Sequence, residues 1–251
     1  MLSKFLKKRQ RAAAGSPEIP AGQRVYAIGD IHGRLDLLDD LLAQVLEDDR
    51  ARGAADTTLV FLGDLVDRGP DSAGVVERLL LFRDQAAVRF LMGNHEEVFL
   101  SALGGDAKAL KFFCRIGGRE TILSYGVSQD SYNKLDFAEL GAVLAARVPP
   151  AHRDFLAAFE DLIRIGDYVF VHAGIRPGIP LDEQRKSDLR WIREAFVDHR
   201  DPFEAVVVHG HTIREDVEFL GNRIGIDTGA FNTGKLSALG LEGQERWVLQ
   251  T

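Results

Sequence analysis

The chain has 251 residues, 45% hydrophobic and 27% charged, enough apolar material to bury a full core as one large domain or one domain with an insertion. A formal net charge of −7 argues against a general nucleic-acid binder, whose phosphate contacts need a basic surface. Cys114, the single cysteine, excludes an internal disulfide and a thiolate zinc cluster and fits a reducing cytoplasm, and no apolar run approaches the length of a membrane span or a signal-peptide core.

Residues 1–22 begin with a basic run of Lys4, Lys7, Lys8, Arg9 and Arg11 and continue through small residues, Pro17 and Pro20. They read as a solvated tail, with contact to an anionic surface through Leu2, Phe5 and Leu6 as the alternative. Residues 23–251 read as one domain. "RVYAIG" has the composition of a strand, and Leu35, Leu38, Leu41, Leu42 and Val45 recur at helical spacing up to Gly53. The rhythm repeats: "TTLVFL" a strand, "SAGVVERLLLF" a helix, "AVRFLM" a strand, "EEVFLSALGG" a helix. Alternation of this kind predicts an α/β protein.

Residues 97–166 break the rhythm. "DAKALKFF", "FAELGAVLAARV" and "HRDFLAAFEDLI" are helical, and "RIGGRETILSYGVSQDSYN" between them reads as loop, so the segment is a helical insertion. Afterwards come the strand "DYVFVHAG", the helix "KSDLRWIREAF", the strand "EAVVVHGHT", and an antiparallel ending in "VEFLG", "NRIGID", "KLSALGLE" and "ERWVLQ".

Strand after strand exits into charge, through "GDIHG", "GDLVDRG" and "GNHEE", at the end where open α/β sheets place their sites. Asp64 and Asp67 crowd like charges beside a single Arg68, which asks for further positive charge. Asp30 and His32 stand two apart with Gly29 and Gly33 beside them, Asn94 and His95 follow the third strand, His172 follows "YVFV" and His211 follows "AVVVHG". Brought together, this sulfur-free set of Asp, His and Asn suits divalent manganese, iron or zinc, and such cations would compensate Asp64.

"GDIHG", "GDLVDRG", "GNHE", "HAG" and "GHT" in this order resemble the phosphoprotein phosphatase family of binuclear, calcineurin-like metallophosphoesterases, particularly its bacterial and phage serine/threonine phosphatases. The resemblance runs from about Arg24 to the last strands. It implies a β-sandwich flanked by α-helices with two divalent metals, manganese first among them, at the strand ends. It makes Asp30, His32 and Asp64 ligands of one metal, and Asp64, Asn94, His172 and His211 ligands of the other. It further implies in-line attack on phosphorus by a hydroxide the metals share, with His95 protonating the leaving alkoxide and Asp67 orienting and charging His95. Arg68 and Arg193 become the phosphate-holding arginines, with Arg190 as the rival to Arg193.

Other residues carry structural readings. His152, His199 and His209 are not expected to ligate, Asp227 is expected in a turn or cap, and Arg34 over a helix start. As substrate, a phosphoserine or phosphothreonine protein is expected from Asp67 and Glu96, since the similar symmetrical dinucleoside polyphosphate hydrolases commonly carry alanine and aspartate there. That hydrolase is the alternative, and an inactive regulatory module, which predicts a lost ligand, the distant one. Ile213 stands where the wider phosphodiesterases usually have a second histidine. "RIGGRETILSYG" is expected to wall the site, with Arg115 or Arg119 affecting substrate affinity.

Overall fold

Alternation along β1 (Gln23–Ile28) puts Val25 and Ala27 on one face and Tyr26 and Ile28 on the other, and all four are buried, so the sheet it belongs to is covered on both sides. The computed structural model describes residues 16–251, so the basic run from Lys4 to Arg11 lies outside the described residues. β2 (Asp56–Phe61) and β3 (Val88–Phe90) pair in parallel beyond β1. After the insertion come β4 (Ile163–Ile165), β5 (Tyr168–Phe170), β6 (Val206–His209), β7 (Glu218–Phe219) and β8 (Arg223–Gly225), then β9 (Ser237–Glu242) and β10 (Glu245–Gln250). The two five-stranded sheets have the orders β10-β9-β1-β2-β3 and β4-β5-β6-β8-β7.

Val25, Ala27, Val60 and Leu62 face Phe170, Val208, Ile224 and Ile226 in one apolar cluster between the sheets. The outer face of the first sheet packs on α1 (Leu35–Ala51), α2 (Ser72–Phe82) and α3 (Asn94–Leu103), through Leu38, Leu41, Val75, Leu79 and Phe99. The helical insertion adds α4 (Ala107–Phe113), α5 (Arg119–Ser124), α6 (Gln129–Lys134), α7 (Phe137–Arg147) and α8 (Pro150–Ala157). On the far side, α9 (Lys186–Trp191) and α10 (Glu194–Val197) set Leu189 and Phe196 against Val169, Val171 and Val207. The expected sandwich flanked by helices is the fold found.

Several local expectations differ from it. "RIGGRETILSYGVSQDSYN" contains α5 and α6, bent at Gly117, whose φ of 120° is open to glycine. α8 ends at Ala157, so Glu160 already bridges to Leu91, and Ile163 lies in β4. "KSDLRWIREAF" is two short helices separated by extended Ile192 and by Arg193 at φ −130°, ψ −102°. The ending is antiparallel at β7-β8 and β9-β10, but β8 joins β6 in parallel. Near the expected tail boundary, Ile19 is buried and its N–H donates to the Gly243 carbonyl at 2.8 Å, which ties residues 17–20 to the body. α11 (Ala230–Thr233) follows β8. Among the described residues no helix is long and apolar enough to cross a membrane.

Candidate active site

Six strands, β1, β2, β3, β5, β6 and β8, deliver their C-terminal ends to one place. Asp30, His32, Asp64, Asp67, Asn94, His95, His172, His211 and Asp227 lie there, and all are buried. Among the described residues, the non-glycine positions with positive φ are His32 (47°), Asp64 (50°), Asp67 (75°), Arg68 (69°) and His211 (62°). Four of the five belong to this set, and the fifth, Arg68, follows Asp67 directly. Left-handed backbone costs energy for residues with a Cβ, and its concentration here shows loops shaped for side-chain placement at the expense of local preference.

Glu96 holds the most strained of these loops. Its Oε2 accepts the N–H groups of Asp64 (2.8 Å) and Gly93 (3.1 Å), and its Oε1 those of Leu65 (2.8 Å) and Val66 (3.2 Å). Burial, and then the Asp64 charge, push Glu96 up to about 8. The four N–H groups oppose that shift, because they leave neither oxygen free to carry a proton. The sequence reading used Glu96 only to sort substrates; a carboxylate opening a helix, three residues after a glycine, was the available sign of a backbone anchor.

The imidazoles are oriented by backbone carbonyls. His32 Nδ1 donates to Val66 O and His172 Nδ1 to Leu62 O, both at 2.8 Å, which leaves each Nε2 as a lone pair. His172 Nε2 then lies 3.0 Å from Asn94 Oδ1, 3.2 Å from His211 Nδ1 and 3.4 Å from Asp64 Oδ1. Lone pairs turned on one another at this range repel unless a cation sits among them. The other oxygen of the same carboxylate, Asp64 Oδ2, lies 3.5 Å from His32 Nε2 and 3.9 Å from His95 Nε2. Asp64 is thus shared by two buried groups able to hold metal ions, His32-Asp64-His95 and Asp64-His172-His211. The donor set fits divalent cations.

Asp30 stands outside that first triplet, with its carboxylate accepting the His211 N–H at 3.0 and 3.3 Å. Burial, and the charges of Asp227 and Asp64, raise it well above the usual carboxylate range. A Cβ on Gly210 would come within 2.0 Å of Asp30 Oδ1, so glycine is required there. Burial also works to raise Asp64, but the imidazoles of His172, His95 and His32 outweigh it and hold this carboxyl below the usual range. Burial lowers His172 and takes His32 to about 3 and His211 to about 2, which favours their neutral imidazoles, the form able to take a metal ion.

His95 differs. Its Nδ1 lies 2.6 Å from Asp67 Oδ2, and although burial works to lower its pKa, Asp64 and the bond to Asp67 outweigh that and raise it. Arg68 reaches both sides, NH1 at 3.0 Å from His32 Nε2 and NH2 at 3.0 Å from His95 Nε2, with its guanidinium 4.8 Å over the Phe231 ring. Arg193 donates to the His211 carbonyl at 3.3 Å, while Arg190 is held by Glu97 (2.7 Å) and Asp161 (2.6 Å). The break between α9 and α10 is what separates the two arginines. A helical reading of this stretch had no means of foreseeing it.

The structural readings stand as follows. His209 stacks edge-on against Phe196 with Nδ1 on Gly210 O, His152 sits between Tyr125 and Glu77, and His199 stacks on Phe203. Asp227 accepts the Gly229 N–H at 2.9 Å in a turn, and burial first of all raises it to about 6. Arg34 pairs with Asp36 at the start of α1 and donates to Ala230 O. Of the expected wall, Gly117 O accepts the Arg68 N–H and Thr121 bonds to Asp67. Arg119 is occupied by Glu120 and Gln129, and Arg115 is exposed. Thr121, Ser72 and Phe231 are at the site without having been singled out in the sequence, because each is a common residue outside any motif.

Residues 23–230 match the family model for calcineurin-like phosphoesterases, a span that includes every residue of the cluster. The chain belongs to the calcineurin-like phosphoesterase family. Within it, the chain is 27% identical over 231 residues to an asymmetrical bis(5'-nucleosyl)-tetraphosphatase, PrpE, of Anoxybacillus flavithermus, covering 84% of this chain and 88% of the relative. It is 31% identical over 228 residues to serine/threonine-protein phosphatase 1 of Salmonella typhimurium, covering 86% and 90%. A crystal structure provisionally named diadenosine tetraphosphatase superposes with a TM-score of 0.61 at 26% identity, covering 94% of this chain and 98% of that one. Membership makes the chain a metal-dependent phosphoesterase.

Proposed function

We propose that this phosphoesterase hydrolyses dinucleoside polyphosphates. The observation that carries phosphoester chemistry is Asp64, whose two oxygens face two separate ligand groups. The finer reading draws on the tetraphosphatases among its relatives and on a cavity of about 700 Å³ beside the cluster, lined by Arg34, Arg68 and Phe231 and also by Asp36, Asp39 and Asp71. The Phe231 ring and the Arg68 guanidinium suit a base and a phosphate at the end of the cavity nearest the cluster, while Arg34 is paired with Asp36.

In this proposal Asp30, His32 and Asp64 hold one divalent cation and Asp64, Asn94, His172 and His211 the other, with manganese first and iron or zinc as alternatives. Such a pair supplies charge neutralisation on phosphate and a water of lowered pKa. Arg68 and Arg193 bind phosphate oxygens as planar donors. His95, charged with the help of Asp67, gives its Nε2 proton to the departing oxygen.

A second reading, hydrolysis of phosphoserine or phosphothreonine in proteins, is favoured by the 2.6 Å His95–Asp67 contact, because a strongly basic alkoxide needs a proton more than a nucleotide phosphate does. The Salmonella relative supports it too. One manganese-loaded preparation should be given diadenosine tetraphosphate and a phosphothreonine peptide in parallel. A kcat/KM preference of about tenfold or more for the dinucleotide is expected, a difference of about 1.4 kcal/mol in transition-state binding. The reverse preference overturns the first reading in favour of the second, and the product pair, two ADP or ATP with AMP, gives the position of cleavage.

A further inference from the structure

The insertion touches the centre through one turn of chain. At Gly117 the carbonyl takes the Arg68 N–H at 3.0 Å, and a Cβ there would sit 2.7 Å from Arg68 Cγ. Four residues on, Thr121 is fully buried. Its Oγ1 lies 2.6 Å from Asp67 Oδ1, 2.9 Å from Asp67 N and 2.8 Å from Ser72 Oγ, and Ser72 Oγ is itself 2.9 Å from Asp67 N.

A proton count decides the directions. Thr121 has one hydroxyl proton, and of its two acceptors the carboxylate is the stronger, so the proton goes to Asp67 Oδ1. Asp67 N–H is shared between the two hydroxyl oxygens. Asp67 therefore has one oxygen on Thr121 and the other, Oδ2, on His95 Nδ1. Its backbone stands at φ 75° and its side chain is fully buried, so the hydroxyl pair from α5 and α2 holds both its main chain and its carboxylate plane.

We infer that Thr121 is a positioning residue for proton donation: by fixing the rotation of the Asp67 carboxylate it keeps Oδ2 on His95 and aims His95 Nε2 at the leaving group. The helical insertion then orients the acid as well as forming a wall. The inference rests on the reading of His95 as the acid. A polar contact that only stabilised the insertion would lower all turnover alike; positioning of an acid makes the loss depend on how much the leaving group needs a proton.

The test uses the full manganese-loaded chain with p-nitrophenyl phosphate, whose phenolate departs readily, and phenyl phosphate, whose phenolate is more basic. Thr121→Val should lower kcat on phenyl phosphate by about tenfold and on p-nitrophenyl phosphate by less than about threefold, part of the 100- to 10,000-fold a general acid supplies. KM should stay within about twofold for both, and Thr121→Ser, which keeps the hydroxyl, should recover most of the loss. Should the valine variant fail to fold, Thr121→Ala carries the same expectation. Asp67→Asn is the reference for the acid itself. If Asp67→Asn separates the two substrates and Thr121→Val does not, Thr121 has no such role although the acid reading stands. If an active Asp67→Asn enzyme treats both substrates alike, the acid reading fails and the inference with it.

Discussion

Glu96 Oε2 accepts the backbone N–H of Asp64 at 2.8 Å, so the first turn of α3 fixes the residue that both halves of the cluster share. The relation is between a side chain and a main chain, and it places an aspartate at φ 50° that would otherwise relax.

Glu96→Gln follows directly from it. Glutamine keeps one accepting oxygen and turns an NH₂ group toward two N–H donors. Loss of two buried bonds should destabilise the chain by about 2–3 kcal/mol. Urea unfolding of the variant at neutral pH checks this, and an unchanged midpoint refutes it.

Arg193 and Arg190 should separate cleanly. Arg193→Ala removes a guanidinium beside His211 and should lower kcat/KM by about 10- to 100-fold, the worth of a charged hydrogen bond of about 1.5–3 kcal/mol. Arg190→Ala breaks the pairs with Glu97 and Asp161 and should lower thermal stability while kcat/KM stays within about threefold. Steady-state kinetics and melting curves on the two variants decide; kinetic loss at Arg190 and none at Arg193 reverses the assignment.

Phe231 tests the substrate. Its ring lies under Arg68 and 5.4 Å from the His32 ring at the cavity edge. Phe231→Ala should reduce kcat/KM for diadenosine tetraphosphate by about tenfold, as loss of a base-stacking platform does, and spare p-nitrophenyl phosphate. Equal effects on both substrates count against the cavity as a nucleotide site.

Metal loading should depend on pH in one direction. Burial, and the charges of Asp227 and Asp64, hold Asp30 above the usual carboxylate range, so a cation competes there with a proton up to a higher pH than at an ordinary aspartate. His32 and His211, at about 3 and about 2, are already unprotonated and add nothing to the slope near neutrality. Manganese affinity should therefore rise with pH, by about tenfold per unit per displaced proton, until pH passes the raised value of Asp30. Calorimetric titration near about pH 6 and about pH 7 in two buffers of different ionisation enthalpy measures affinity and proton release together, and a flat profile without release contradicts it.

The strand-end motifs and the period-two and helical patterns were legible in the sequence because they depend on neighbours a few residues apart. From them came the alternation of an α/β protein, the helical insertion, and the set Asp30, His32, Asp64, Asn94, His95, His172 and His211, while the sandwich was implied by the family resemblance of the motifs. Only the tertiary structure decided that Asp64 turns one oxygen to each group and that Arg193 reaches His211 while Arg190 is held by Glu97 and Asp161. The same holds for Thr121, which meets Asp67 across 54 residues. These relations depend on loop breaks and on proton directions at side chains brought together by packing, and no short-range pattern along a chain encodes which oxygen of a carboxylate a distant hydroxyl will find.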